Sequence, residues 1–100
     1  MASLHGKVAI ITGGAQGFGL GIAERFAQEG CSLVIADVQG EAAEKAVAAL
    51  LAHGVSAVAQ QADVSKSADW DELVNATLVA FGRLDIVVNN AGVSHKNRPM

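Results

Sequence analysis

The polarity of the chain switches repeatedly between two periods. Four short apolar runs occupy Lys7-Val8-Ala9-Ile10-Ile11, Ser32-Leu33-Val34-Ile35-Ala36, Val55-Ser56-Ala57-Val58-Ala59-Gln60-Gln61 and Leu84-Asp85-Ile86-Val87-Val88-Asn89. Runs of this length, rich in valine and isoleucine, read as strands, and the near-continuous ones as strands buried on both faces. The third is the most polar, which suits the edge of a sheet. Between the runs the period becomes helical. Ile22, Ala23, Phe26 and Ala27 form one stripe, with Glu24, Arg25 and Gln28 on the other side. Ala43, Val47, Leu50 and Leu51 form a second, and Trp70, Leu73, Val74 and Leu78 a third with Phe81 near its end. Gly30, Gly54 and Gly82 stand where the three helices should stop. Gly40 reads as a turn ahead of the second helix, which opens on Glu41-Ala42-Ala43-Glu44 and has His53 in its last turn. Ser65 or Ser67 is placed to cap the third, whose first turn carries Asp69, Asp71 and Glu72.

Strands alternating with helices of these lengths need right-handed crossovers and a parallel sheet. The expected architecture is α/β, the first half of a doubly wound parallel sheet with helices on both faces and strand order 3-2-1-4. Bulk properties leave that picture intact and narrow it. With 100 residues, 51% of them hydrophobic, the chain makes one small domain at most. A net charge of −3 with acids and bases interspersed gives no reason to expect a nucleic acid or an anionic membrane as partner. The single cysteine, Cys31, fits a reducing compartment and, at the start of a strand, should be a buried, inert thiol. No apolar stretch approaches the length of a membrane span, and the N-terminal apolar run is too short for a secretion signal, so the chain reads as soluble and cytoplasmic.

The candidate chemistry lies between the first strand and the first helix, in Thr12-Gly13-Gly14-Ala15-Gln16-Gly17-Phe18-Gly19. A glycine-rich strand-to-helix turn aims backbone N–H groups and the positive end of the helix dipole at one point, which suits a phosphate. A side chain at Gly13 or Gly17 would hinder the tight turn or the approach of a pyrophosphate, and Gly19 should let the helix pack closely on the strand. The spacing is Gly-x-x-x-Gly-x-Gly, and no Gly-Lys-Ser/Thr follows, which excludes a P-loop. Asp37 ends the second strand at about the distance, roughly 20 residues past the glycines, where a carboxylate meets the ribose hydroxyls of a dinucleotide. Such a carboxylate repels the 2′-phosphate of NADP. Neither Gly14-Ala15-Gln16 nor Val38-Gln39 offers a base to neutralise that phosphate, so NAD is favoured and NADP disfavoured.

The pattern Thr-Gly-x-x-x-Gly-x-Gly, followed in order by Asp37, Asp63-Val64 and Asn89-Asn90-Ala91-Gly92, resembles the short-chain dehydrogenase/reductase family across nearly the whole chain. The resemblance implies a Rossmann-type fold, with residues 1–100 as the N-terminal part of a single dinucleotide-binding domain. It also implies that Gly13, Gln16, Gly17, Phe18 and Gly19 hold the pyrophosphate side of the cofactor, with Asp37 and Val38 at the adenosine ribose. Asp63 and Val64 would then lie at the adenine, and Asn90, Ala91 and Gly92 near the cofactor ribose, while Asn89 fixes the central strands. Read as residues alone, Asp37, Asp63 and the paired asparagines have an alternative as turn and capping groups, which the family context makes the lesser reading at Asp37 and the asparagines.

In the family a tyrosine acts as general acid/base, in a Tyr-x-x-x-Lys pattern, with a serine orienting the substrate oxygen. This chain contains no tyrosine. Ser94, His95 and Lys96 do not match the motif, so no catalytic residue is assigned, and no His, Cys and acidic group has metal-ligand spacing. The expectation is therefore the NAD-binding portion of a dehydrogenase that acts on a secondary alcohol or ketone when complete, with the catalytic and substrate-binding remainder absent and these residues inactive alone. The family resemblance further implies a homo-oligomer, a tetramer or dimer. A non-catalytic module that binds a dinucleotide is the alternative.

Overall fold

Each apolar run becomes a strand in the computed structural model, which describes residues 4–15 and 17–90. The order is β1 (Val8–Thr12), α1 (Gly17–Gln28), β2 (Ser32–Asp37), α2 (Gly40–Leu51), β3 (Ala57–Gln61), α3 (Ser67–Phe81) and β4 (Ile86–Asn89). The four strands form one sheet in the order β3-β2-β1-β4, and every pairing is parallel. This is the Rossmann-type half-sheet that the alternation of periods predicts.

Because side chains alternate across a strand, β1 and β2 feed two cores. Ala9, Ile11, Leu33 and Ile35 point to one face, where Ala23 and Ala27 of α1 and Ala43, Ala46 and Leu50 of α2 cover them. Ile10, Val34 and Ala36 point to the other, where Leu73 of α3 closes on them with Trp70, Val74 and Phe81 at the margin. Full burial of a side chain such as Ile11 or Leu33 contributes about 1.5–3 kcal/mol. These central strands are therefore the fixed frame on which the strand-end loops are mounted.

The sheet's opposite end, away from those loops, is clamped at β4. Asp85 exchanges bonds with the start of β1: its N–H donates to the Val8 carbonyl at 2.9 Å, and its Oδ2 accepts the Val8 N–H at 2.9 Å. Arg83 grips the same carboxylate through Nε at 2.9 Å and Nη2 at 2.8 Å. The Arg83 hydrogen bonds and the Val8 N–H together hold Asp85 below the usual carboxylate range. Cys31 is buried just ahead of β2. Desolvation, with the charge of Asp85 adding, pushes its thiol up to about 11, which keeps it in the unreactive protonated form.

Several local expectations need correction. Leu51 and Leu78 are exposed. In α2 the buried stripe runs through Ala43, Ala46 and Leu50, with Val47 half-buried. In α3 it runs through Leu73 and Thr77, and Thr77 tolerates full burial because its hydroxyl donates to the Leu73 carbonyl at 2.8 Å. Gly40 is the first residue of α2 rather than a turn, and His53 lies beyond the helix, past the cap at Ala52. Neither Ser65 nor Ser67 caps α3: Lys66 holds the cap position without a side-chain bond, and Ser65 is drawn instead to Asp63. Of the three acids only Asp69 falls in the first turn of α3. Strand ends also move: β1 runs from Val8 to Thr12, β3 starts at Ala57 and β4 at Ile86.

Candidate functional site

The carboxyl ends of the four strands bring the marked residues to one edge of the sheet. At the centre, the glycine turn links β1 to α1. Gly17 has φ +61, a conformation that side-chain-bearing residues rarely adopt, and among the described residues beyond its chain neighbours and its own helix backbone no atom lies within 4 Å of where a Cβ would stand. The space above the turn is thus open, and the first N–H groups of α1, which have no partner within a helix, belong to Gly17, Phe18 and Gly19. Phe18 is 87% exposed beside them. With Gly21, Ile22 and Phe26 it lines a groove of about 370 Å³ along α1.

Gly19 is required by close approach, which the structure places at the turn directly after the strand. A Cβ at Gly19 would stand 2.0 Å from the Gly13 carbonyl oxygen and 2.8 Å from the Gly14 Cα. At Gly19 the helix therefore packs on the turn that ends the strand, while Ala23 and Ala27 further along pack on the strand itself. The turn is also held from both sides. On the β2 side the Gly13 N–H donates to the Ala36 carbonyl at 2.7 Å, and the Ala15 N–H reaches Asp37 Oδ2 at 3.4 Å. On the β4 side Asn90 Nδ2 donates to the Gly13 carbonyl at 3.3 Å. Next to it, the Thr12 hydroxyl donates to Asn89 Oδ1 at 3.0 Å, tying β1 to β4 where the two residues face each other in register.

Asp37 projects from the end of β2 toward this turn, and its Oδ1 also accepts the Gln39 N–H at 3.0 Å. Val38, beside it, is exposed. Between the ends of β2 and β3 lies a polar hollow of about 410 Å³, with Val38, Gln61, Asp63, Asp69 and Glu72 in its wall and Lys66 as the cation there. Gln61 Nε2 donates to the Val38 carbonyl at 3.1 Å and ties the two strand ends together. The Asp63 carboxylate is turned to its own loop, where Oδ1 accepts from the Ser65 hydroxyl at 2.6 Å and the Ser65 N–H at 3.0 Å. Those bonds hold its carboxyl below the usual range. Its backbone N–H donates to Asp69 Oδ2 at 2.9 Å. Val64 packs inward on the α3-side core and is not in the wall of the hollow.

Gly13, Gly17, Phe18, Gly19, Asp37, Val38, Asp63 and Asn90 thus share one edge of the sheet, while the Val64 side chain packs on the core. Gln16, Ala91 and Gly92 lie outside the described residues, as do Ser94, His95 and Lys96. The sequence reading missed the Asp37–Ala15 and Gln61–Val38 ties and the use of Asp69 as an acceptor. The first two are lateral contacts between separate loops, and their only trace in the sequence is a polar residue at the end of a strand. Among the described residues no three His, Cys or acidic groups cluster to hold a metal ion, and no helix is long and apolar enough to cross a membrane.

All of these features lie along the one strand-end edge of the sheet. The edge offers an open glycine turn at a helix start, a carboxylate at the end of the adjacent strand, and a hollow one strand further out. Comparison with known proteins bears on the family and the fold. The family model described as short chain dehydrogenase matches residues 7–100. A 4-formylbenzenesulfonate dehydrogenase from Comamonas testosteroni is 45% identical over 97 residues, which are 97% of this chain and 38% of that protein. A crystal structure of a short chain dehydrogenase/reductase from Burkholderia phymatum in complex with NAD superposes with a TM-score of 0.81 at 40% identity, covering 87% of this chain and 31% of that one. A 3-ketoacyl-(acyl-carrier-protein) reductase from Brucella melitensis complexed with NADH gives 0.79 at 46% identity, over 85% of this chain and 34% of that one. The chain spans well under half the length of the relatives it matches.

Proposed function

This chain belongs to the short-chain dehydrogenase family, and from that premise we propose that it forms the NAD-binding part of an enzyme acting on a secondary alcohol or ketone. Residues 1–100 are the N-terminal part of one Rossmann domain, and the catalytic and substrate-binding groups belong to further chain. The observation that supports this most is convergence: the glycine turn, Asp37, the hollow beside Asp63 and Asn90 come from four strand ends, yet all meet at one edge. Ligands of open α/β sheets bind outside the carboxyl ends of the strands.

Within this reading the amides of Gln16, Gly17, Phe18 and Gly19 receive the pyrophosphate at the positive end of α1, while Gly13, whose own N–H is held by the Ala36 carbonyl, shapes the turn beneath it. Asp37 accepts the adenosine ribose hydroxyls, with Val38 beside it. The adenine takes the hollow by Asp63, with Val64 next in the chain, and Asn90, Ala91 and Gly92 border the ribose at the opposite strand end. Bound NAD(H) supplies the hydride chemistry at its nicotinamide, while these residues bind and orient it. A 2′-phosphate at the same place would meet the carboxylate of Asp37 and the acids of the hollow, with Lys66 as the one cation lining it, which disfavours NADP. Family membership also supports a homo-oligomer, and the single buried thiol supports a cytoplasmic location.

Titration of the complete protein with each cofactor tests this. NAD is expected to bind at least about tenfold more tightly than NADP, a difference of roughly 1.4 kcal/mol, and Asp37→Ala to narrow the gap. Equal affinities in the unmodified protein would contradict the role given to Asp37.

A further inference from the structure

We infer that Asp37 has a second task at the same site: it is a positioning residue that holds the glycine turn in its phosphate-binding shape before any ligand arrives. The inference rests on the dinucleotide reading and adds to it an effect on the pyrophosphate end, distant from the ribose. Two hydrogen bonds, the burial of Ala15 and the packing at Gly14 support it. The Asp37 carboxylate bridges two loops, accepting the Ala15 N–H with Oδ2 and the Gln39 N–H with Oδ1. Ala15 is only 8% exposed, so in the turn as it stands its N–H depends on the carboxylate for an acceptor. A buried donor left unsatisfied is costly, and the turn would shift to hydrate it. The neighbouring Gly14 leaves little room for a shift toward the strands, because a Cβ there would already lie 3.1 Å from the Ile11 carbonyl and 3.2 Å from Ile35 Cγ2. Relaxation therefore lifts the turn outward, into the space where the phosphate must sit.

Electrostatics alone predicts the opposite sign. Removing a negative charge beside an anion site should tighten anion binding, whereas releasing the turn should weaken it. Two neutral variants separate the effects. Asp37→Asn keeps one oxygen that can face Ala15, while the exposed Gln39 N–H turns to water. Asp37→Ala keeps none.

The experiment uses the complete protein and inorganic pyrophosphate, a probe without ribose, together with hydrogen exchange at the Ala15 amide in the absence of ligand. The Ala variant is expected to bind pyrophosphate about fivefold more weakly than the Asn variant, the scale of one net hydrogen bond. Its Ala15 amide should exchange at least about fivefold faster by the same measure. Equal pyrophosphate affinity in the two variants, or equal exchange at Ala15, overturns the positioning role. The dinucleotide reading fails separately, if the unmodified protein does not bind NAD. In that case the Ala15 exchange rates still decide whether Asp37 holds the turn.

Discussion

A Gly19→Ala substitution is expected to cost the complete protein about a hundredfold in NAD affinity, roughly 2.7 kcal/mol. The added methyl meets the Gly13 carbonyl oxygen at 2.0 Å and the Gly14 Cα at 2.8 Å. Both are backbone atoms, so no rotamer change relieves the clash. Either α1 retreats from the turn or the turn opens, and each alternative moves the amides that receive the phosphate. The core beneath, built from Ile11, Leu33 and Ile35, does not depend on this contact, so helical content should survive. Gly21→Ala is the paired control, since no described atom lies within 4 Å of its added methyl. It should keep its affinity and gain a little helix stability, up to about 1 kcal/mol. Calorimetric titration with circular dichroism on both variants measures the difference. Wild-type affinity in a folded Gly19→Ala protein would place the phosphate elsewhere.

The second large effect concerns residues 1–100 as an isolated polypeptide, which is expected to show no dehydrogenase turnover. These residues include no tyrosine, so the Tyr-x-x-x-Lys acid/base of the family has no counterpart among them. Their apolar surface points the same way. Among the described strands β4 has one neighbour, β1, and Val87 on it is 44% exposed; Leu78 and Val79 of α3 are also exposed. An unpaired apolar edge is a template for association. The isolated polypeptide should therefore self-associate or fold poorly, and sedimentation together with an NAD-coupled assay reads both outcomes. Turnover by a stable monomer would require a different catalytic group.

How much of this was legible beforehand depended on whether the controlling interaction was local. The period-2 runs and the helical stripes fixed the element order. The apolar character of Ile10, Ile11, Val34 and Ile35 on both faces made β1 and β2 central, while polar Gln60 and Gln61 marked β3 as an edge. Glycine spacing located the turn. The stripe in α3 misled because Thr77 takes a core position through its own hydroxyl bond, which hydropathy scores as unfavourable. The caps misled because Ser65 serves Asp63 instead of the helix. What the linear pattern lacked was lateral register. The ties of Thr12 to Asn89, Ala15 to Asp37 and Gly13 to Asn90 join residues 22 to 77 positions apart, and they exist only once the strands lie side by side.

The central claim, that a dinucleotide lies across the glycine turn between Asp37 and Asn90, is tested most directly by hydrogen exchange of the complete protein with and without saturating NAD. The account predicts that NAD slows exchange in the segment from Thr12 to Gly19 and at Asp37-Val38, and leaves the Asp85–Val8 clamp at the far end of the sheet unchanged. Saturable NAD binding that protects another segment and leaves the glycine turn as exposed as before would contradict it.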